Sequence, residues 1–128
     1  MRVLLDTQVL VEAFRPGGLA TLPKKVQAIL ANPQNDRILS VASIVEIGVK
    51  SALGKLEMTE AQTYQAIRDL CLIVMPLQPQ HAFRFFSMGQ RSDPFDRMIV
   101  ATAISERIPL VGGDREFKMY SGLQIIWR

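Results

Sequence analysis

The chain is poor in the residues that build covalent or soft-metal frameworks. It has a single cysteine, Cys71, so no disulfide can form within it, and a single histidine, His81. Neither a cysteine-based nor a histidine-based zinc cage can be assembled from that stock. No apolar run approaches the ~20 residues needed to span a bilayer. At the N-terminus Met1-Arg-Val-Leu-Leu-Asp6 meets a carboxylate too early for the apolar stretch of a secretory leader. These absences predict a reduced, soluble, cytoplasmic protein with no membrane partner. Internal repeats, low-complexity tracts and linker-like stretches are missing as well, so residues 1–128 read as a single domain.

What is present is ordinary globular composition: 48% hydrophobic and 21% charged residues. Lys and Arg total 15 against 12 Asp and Glu, a formal charge of +3. That mild basic excess permits a nucleic-acid partner without demonstrating one.

Short apolar runs alternate with helical patterns along the chain. Val3-Leu4-Leu5 is apolar without alternation, as in a strand buried on both faces. Helical spacing follows over residues 7–14, then from about Pro23 to Ala31. A strand is expected over Arg37–Val41, and Ser40 or Ser43 caps a helix running towards Gly54. Thr59 and Gln62 form a capping box, and the helix it starts carries Tyr64, Ile67, Leu70 and Cys71 on one side. Further strands are expected at Leu72–Met75, Ile108–Val111 and Leu123–Trp127. Helices are expected from about Pro79 to Met88 and, capped by Asp93, over the apolar segment that follows; Gln90 to Ser92 reads as a polar link. This alternation predicts an α/β fold with a mainly parallel sheet.

Among the acidic residues, Asp36, Glu57, Glu60, Asp69, Glu106, Glu116 and Glu12 sit where solvent explains them. Five do not. Asp6 and Asp114 each follow an apolar strand, at the strand ends where open α/β sheets bind ligands. Glu46 interrupts an apolar helix, on a polar stripe with Ser43 and Lys50. Asp93 and Asp96 share the first turn of another helix, where the helix dipole favours negative charge. Capping or surface pairing explains each one singly. Jointly, they can converge on one cleft, and carboxylates packed together require a cation to neutralise them. Oxygen donors select hard ions, Mg²⁺ or Mn²⁺, which serve phosphoryl chemistry by activating water and stabilising charge on the phosphate and leaving oxygen.

The ordered segments Leu4-Leu-Asp6-Thr-Gln-Val-Leu10, Ser43-Ile-Val-Glu46-Ile, Lys50-Ser-Ala-Leu-Gly-Lys-Leu56, Asp93-Pro-Phe-Asp96-Arg-Met-Ile-Val-Ala101 and Leu110-Val-Gly-Gly-Asp114 carry a resemblance. Together they resemble the PIN-domain family, specifically the toxin ribonucleases of VapBC-type toxin–antitoxin modules, over nearly the whole chain. The resemblance implies a three-layer α/β/α sandwich around a mainly parallel sheet and Mg²⁺- or Mn²⁺-dependent cleavage of RNA. It places the family's acidic quartet on Asp6, Glu46, Asp96 and Asp114. Asp93 and Thr7 become accessory residues, and Arg91, Arg97 and Arg115 become candidates for guiding RNA. A homodimer bound by a small antitoxin is implied too, with Met58, Phe85, Phe86 and Met88 as candidates for an apolar groove that the antitoxin covers. No aromatic platform for stacking RNA bases is evident in the sequence. Gln8, Ser92 and Gly112 depart from the residues relatives commonly carry, and Gly112 removes a hydroxyl from the surroundings of the last aspartate. Two other classes stay open: a phosphoacceptor module built on strand-end aspartates, and a catalytically silent binding module whose acids only cap helices.

Overall fold

The computed structural model describes residues 1–89 and 93–128. Five strands form one parallel sheet: β1 (Arg2–Leu5), β2 (Asp36–Ser40), β3 (Ile73–Met75), β4 (Leu110–Val111) and β5 (Ile125–Ile126), in the order β3-β2-β1-β4-β5. Six α-helices are found among the described residues: α1 (Thr7–Phe14), α2 (Lys24–Ala31), α3 (Val41–Ala52), α4 (Glu60–Asp69), α5 (Pro79–Phe83) and α6 (Pro94–Glu106).

Strand alternation divides the core. Leu4 and Ile38 point to one side, where they pack with Ile99, Val100 and Ala103 of α6 and with Phe117. Val3 and Leu5 point to the other side, towards Val9, Val26 and Ile29 of α1 and α2. Leu39 joins Leu10, Ile47 and Ala66 on the α1, α3 and α4 side. The result is three layers, α/β/α, with Val3, Leu4 and Leu5 of β1 fully buried in the middle.

Most local signals act as expected. Ser40 caps α3 by accepting from the Ala42 N–H, the Thr59–Gln62 capping box opens α4, and Asp93 caps α6 by accepting from the Asp96 N–H. Four expectations need correction. The helix from Pro79 stops at Phe83 and continues as a 3₁₀ turn over Arg84–Ser87, which leaves Phe83 and Phe86 exposed. α4 buries Thr63 and Ala66, while Tyr64 and Cys71 are exposed. Ala66 packs with Leu10 and Val11 of α1, Thr63 lines a groove with Ile44 and Ile47 of α3, and Tyr64 is exposed. The strand expected from Ile108 begins at Leu110, because Pro109 has no N–H for the ladder and contributes only its carbonyl, to Leu4 N–H at 2.9 Å. The final strand is confined to Ile125–Ile126. No helix among the described residues is long and apolar enough to cross a membrane.

Candidate metal centre

The chain runs from β1 outward through β2 to β3, then crosses back to place β4 on the other flank of β1. At that reversal the connections after β1 and β4 part, opening a crevice beyond the strands' carboxyl ends. Asp6 follows β1 directly, and its N–H bonds the Val111 carbonyl of β4 at 2.9 Å. Asp6 occupies the N-cap position of α1, yet its side chain makes no capping hydrogen bond. Asp114 closes the Gly112-Gly113 turn after β4 and caps the next turn through the Glu116 N–H. From the flanking helices come Glu46 of α3 and Asp96 of α6. All four line one cleft of about 520 Å³ with Thr7, Gln8, Lys50, Asp93 and Trp127.

Glu46 is the most constrained of these acids. It is 3% exposed, one oxygen meets Lys50 Nζ at 2.5 Å, and Oε1 has no hydrogen-bond partner among the described residues. Of the Ser43–Glu46–Lys50 stripe, Glu46 and Lys50 line the cleft and Ser43 is fully buried. Ser43 accepts a buried 2.7 Å hydrogen bond from Thr7 Oγ1, which ties α3 to the start of α1 beneath the acids.

The electrostatics are those of crowded carboxylates. Burial is the main cause that pushes Asp6 up to about 7, with the negative charges of Asp96, Glu46 and Asp114 adding to it. Asp96 is also pushed up to about 7, by burial first and then by Asp93, Glu46 and Asp114. Lys50 is raised above its ordinary value, chiefly by its hydrogen bond to Glu46. A single ammonium thus sits beside an excess of acids. An orphaned buried oxygen among crowded carboxylates with raised pKa values is an environment that suits a cation.

Among the described residues, the three acids whose oxygens come within 4.8 Å of one another are Glu46, Asp93 and Asp96. Asp93, expected to be accessory, stands inside this group; Asp6 and Asp114 line the same cleft. The donor set is all oxygen and fits Mg²⁺ or Mn²⁺.

The basic candidates separate. Arg115 lies in an adjoining groove. Arg97 is turned away from the cleft, its guanidinium 4.6 Å from the centre of the Phe85 ring, so it serves packing there. Arg91 and Ser92 lie outside the described residues. The apolar candidates separate too. Met58 lines a groove of about 550 Å³ between α3 and α4, Phe85 lines a different one beside His81, and Phe86 stands free of both. Gly112 has a steric reason: a Cβ there would lie 2.9 Å from both Asp6 Cβ and the Phe117 ring. The absent side chain makes room for Asp6.

The PIN domain family model matches residues 3–123. The chain belongs to the PIN domain family. No curated protein sequence matches it significantly. Among solved structures, it is similar to a chain of VapBC2 from Rickettsia felis bound to a fragment of promoter DNA, with TM-score 0.71, 18% identity and 100% of both chains covered. A chain of DNA-bound VapBC from Salmonella typhimurium gives TM-score 0.70 at 20% identity, covering 98% of this chain and 97% of that one. A chain of FitAcB from Neisseria gonorrhoeae gives 0.62 at 19%, covering 97% and 96%. At such identities the likeness establishes the fold, which is the PIN fold expected from the sequence.

Proposed function

We propose that this PIN domain is a Mg²⁺- or Mn²⁺-dependent endoribonuclease, the toxin of a toxin–antitoxin pair acting in the cytoplasm. The observation that carries the reading is Glu46 Oε1, a buried acid oxygen without a partner among the described residues, beside Asp93 and Asp96. A solvent-facing or purely capping acid has no reason to be left in that state.

In this reading Asp6, Asp96 and Asp114 hold the ion directly or through water, and Glu46 binds it or orients the attacking water. Asp93 completes the oxygen set while capping α6. When bound, the divalent ion lowers the pKa of water and neutralises charge developing on the phosphate. Thr7 and Ser43 fix the backbone that presents Asp6 and Glu46. Lys50 holds one Glu46 oxygen and leaves the other for the site. Arg115 draws the phosphate backbone of RNA towards the acids. A phosphoacceptor would have no use for Glu46 and Asp96 on two separate helices.

The structurally similar proteins named above include VapBC complexes, which supports a small antitoxin as partner. The α3–α4 groove lined by Ile44, Ile47, Met58 and Ile67 offers it an apolar seat. The exposed Phe83 and Phe86 support a homodimer. The deciding experiment is cleavage of single-stranded RNA in metal-depleted buffer, then with Mn²⁺ or Mg²⁺ restored. Cleavage should appear only with metal and be absent in Asp96→Asn. Metal-independent cleavage, or none under any condition, overturns the reading.

A further inference from the structure

A second groove of about 680 Å³ adjoins the acidic cleft and shares Gly113, Asp114 and Trp127 with it as a common wall. It lies within the range of ligand-sized cavities. Its charge is opposite. Arg115, Lys118 and Arg128 line it, and Asp114 is its one acid. None of those three cations forms an ion pair with a described residue.

Trp127 sits at the junction. Its indole lies so close over Gly113 that a Cβ there would fall 2.4 Å from Cε2 and 2.7 Å from Nε1. Only glycine admits the ring in that position, so the ring is held in place before any ligand arrives. The indole N–H makes no hydrogen bond to a described residue.

We propose that this groove seats the nucleotide next to the scissile phosphate of a single-stranded RNA, with its base stacked on Trp127 and its phosphate held by Arg115 and Lys118. The inference rests on the ribonuclease reading and deepens it. The acidic cleft repels a polyanion until a cation is bound, so the attraction that delivers RNA has to come from beside the cleft. Stacking on an indole tolerates any base, because every base offers a π-face. It demands an unstacked base, which a single strand supplies and the interior of a duplex does not.

Trp127 is the only tryptophan, so its emission reports the site directly. In EDTA at low ionic strength, where nothing should be cut, a short single-stranded oligoribonucleotide should quench it saturably. The same sequence annealed to its complement should quench it little. Measured by anisotropy of labelled RNA, Trp127→Leu should weaken binding roughly 5- to 150-fold. Trp127→Phe, which keeps an aromatic face, should restore most of the affinity. Arg115→Ala and Lys118→Ala should each flatten the dependence of log K on log salt by about 0.7. Emission unmoved at saturating RNA, or a folded Trp127→Leu protein that binds like wild type, overturns the proposal. RNA that is cleaved without quenching removes the groove's role and leaves the nuclease reading standing. RNA that quenches yet is never cleaved with Mn²⁺ does the reverse.

Discussion

Two polar clusters built on α6 differ in how completely they are satisfied. At its N-terminal end, Asp96 joins an acidic cleft in which Glu46 Oε1 has no partner among the described residues and two carboxyls are pushed up to about 7. At its C-terminal end, Glu106 accepts from His81 Nε2 at 2.9 Å and from Gln80 Nε2 at 3.1 Å. His81 is 1% exposed, and its Nδ1 accepts the Gln78 N–H, so the proton that Glu106 receives must sit on Nε2. Arg84 reaches Ser105 at 2.8 Å beside it. The complete cluster locks α5 onto α6; the incomplete one is left open for something the chain itself does not provide. Burial alone does not separate them, since Glu46 and His81 are both buried. Hydrogen-bond satisfaction does.

The largest test of this contrast is chemical. Asp6→Asn, Glu46→Gln, Asp96→Asn and Asp114→Asn should each lower RNA cleavage at least about 100-fold, since losing even a supporting partner of a metal ligand costs up to that much. Glu106→Gln should cleave at the wild-type rate per folded molecule. The comparison breaks if the two ends of α6 respond alike. The second test is mechanical. His81→Ala opens a cavity and orphans its partners, so unfolding should become easier by about 3 kcal/mol, or a melting temperature about 10 °C lower, with cleavage by the folded fraction intact. The third uses the ion. Mn²⁺ at a hundredfold excess over its Kd should stabilise wild type by about 2.7 kcal/mol. Asp96→Asn should melt higher than wild type in EDTA and gain less from Mn²⁺; no metal-dependent shift in wild type would make the cleft an ordinary acidic surface.

The smallest effect is the sharpest in sign. Asp6 and Asp96 are raised in the fold, so the native state holds protons that the unfolded chain has released. Their contribution is present below the unfolded value near 4 and lost as pH rises towards about 7. Glu106 is lowered, chiefly by its hydrogen bond from His81, so its contribution is present above the ordinary glutamate value and lost as pH falls through its lowered one. Metal-free melting curves should therefore decline from pH 4 to 7 less steeply in Asp96→Asn, whereas Glu106→Gln should alter only the acid limb.

Much of this was legible in the residues. Val3-Leu4-Leu5, the Thr59–Gln62 box and the Asp93-Pro94 cap are local signals, and the elements they announce are present. Asp6, Glu46, Asp96 and Asp114 stood out because each breaks a local pattern, and all four line one cleft. What escaped depends on neighbours distant in sequence. Asp93 was expected at the site only as an accessory, and the approach of α3 to α6 is what brings it close to Glu46. Glu106 looks like a surface acid until His81 is placed against it. Trp127 reads as the end of a strand, and its closeness to Gly113 follows from the β4–β5 pairing. The face of α4 was misjudged because Tyr64 tolerates water while Thr63 and Ala66 permit close helix packing.

The proximity of Asp6 to the end of β4, for which Gly112 gives up a side chain, has a further consequence. It keeps an acid deep enough to retain a proton near neutrality. In the proposed metal centre, loading would then be an exchange, cation in and hydrogen ion out. The heat of loading should vary with the ionisation enthalpy of the buffer, and apparent affinity for Mn²⁺ should climb through pH 7. In the proposed metal centre, alkalinity would therefore favour the loaded state and acid the empty one.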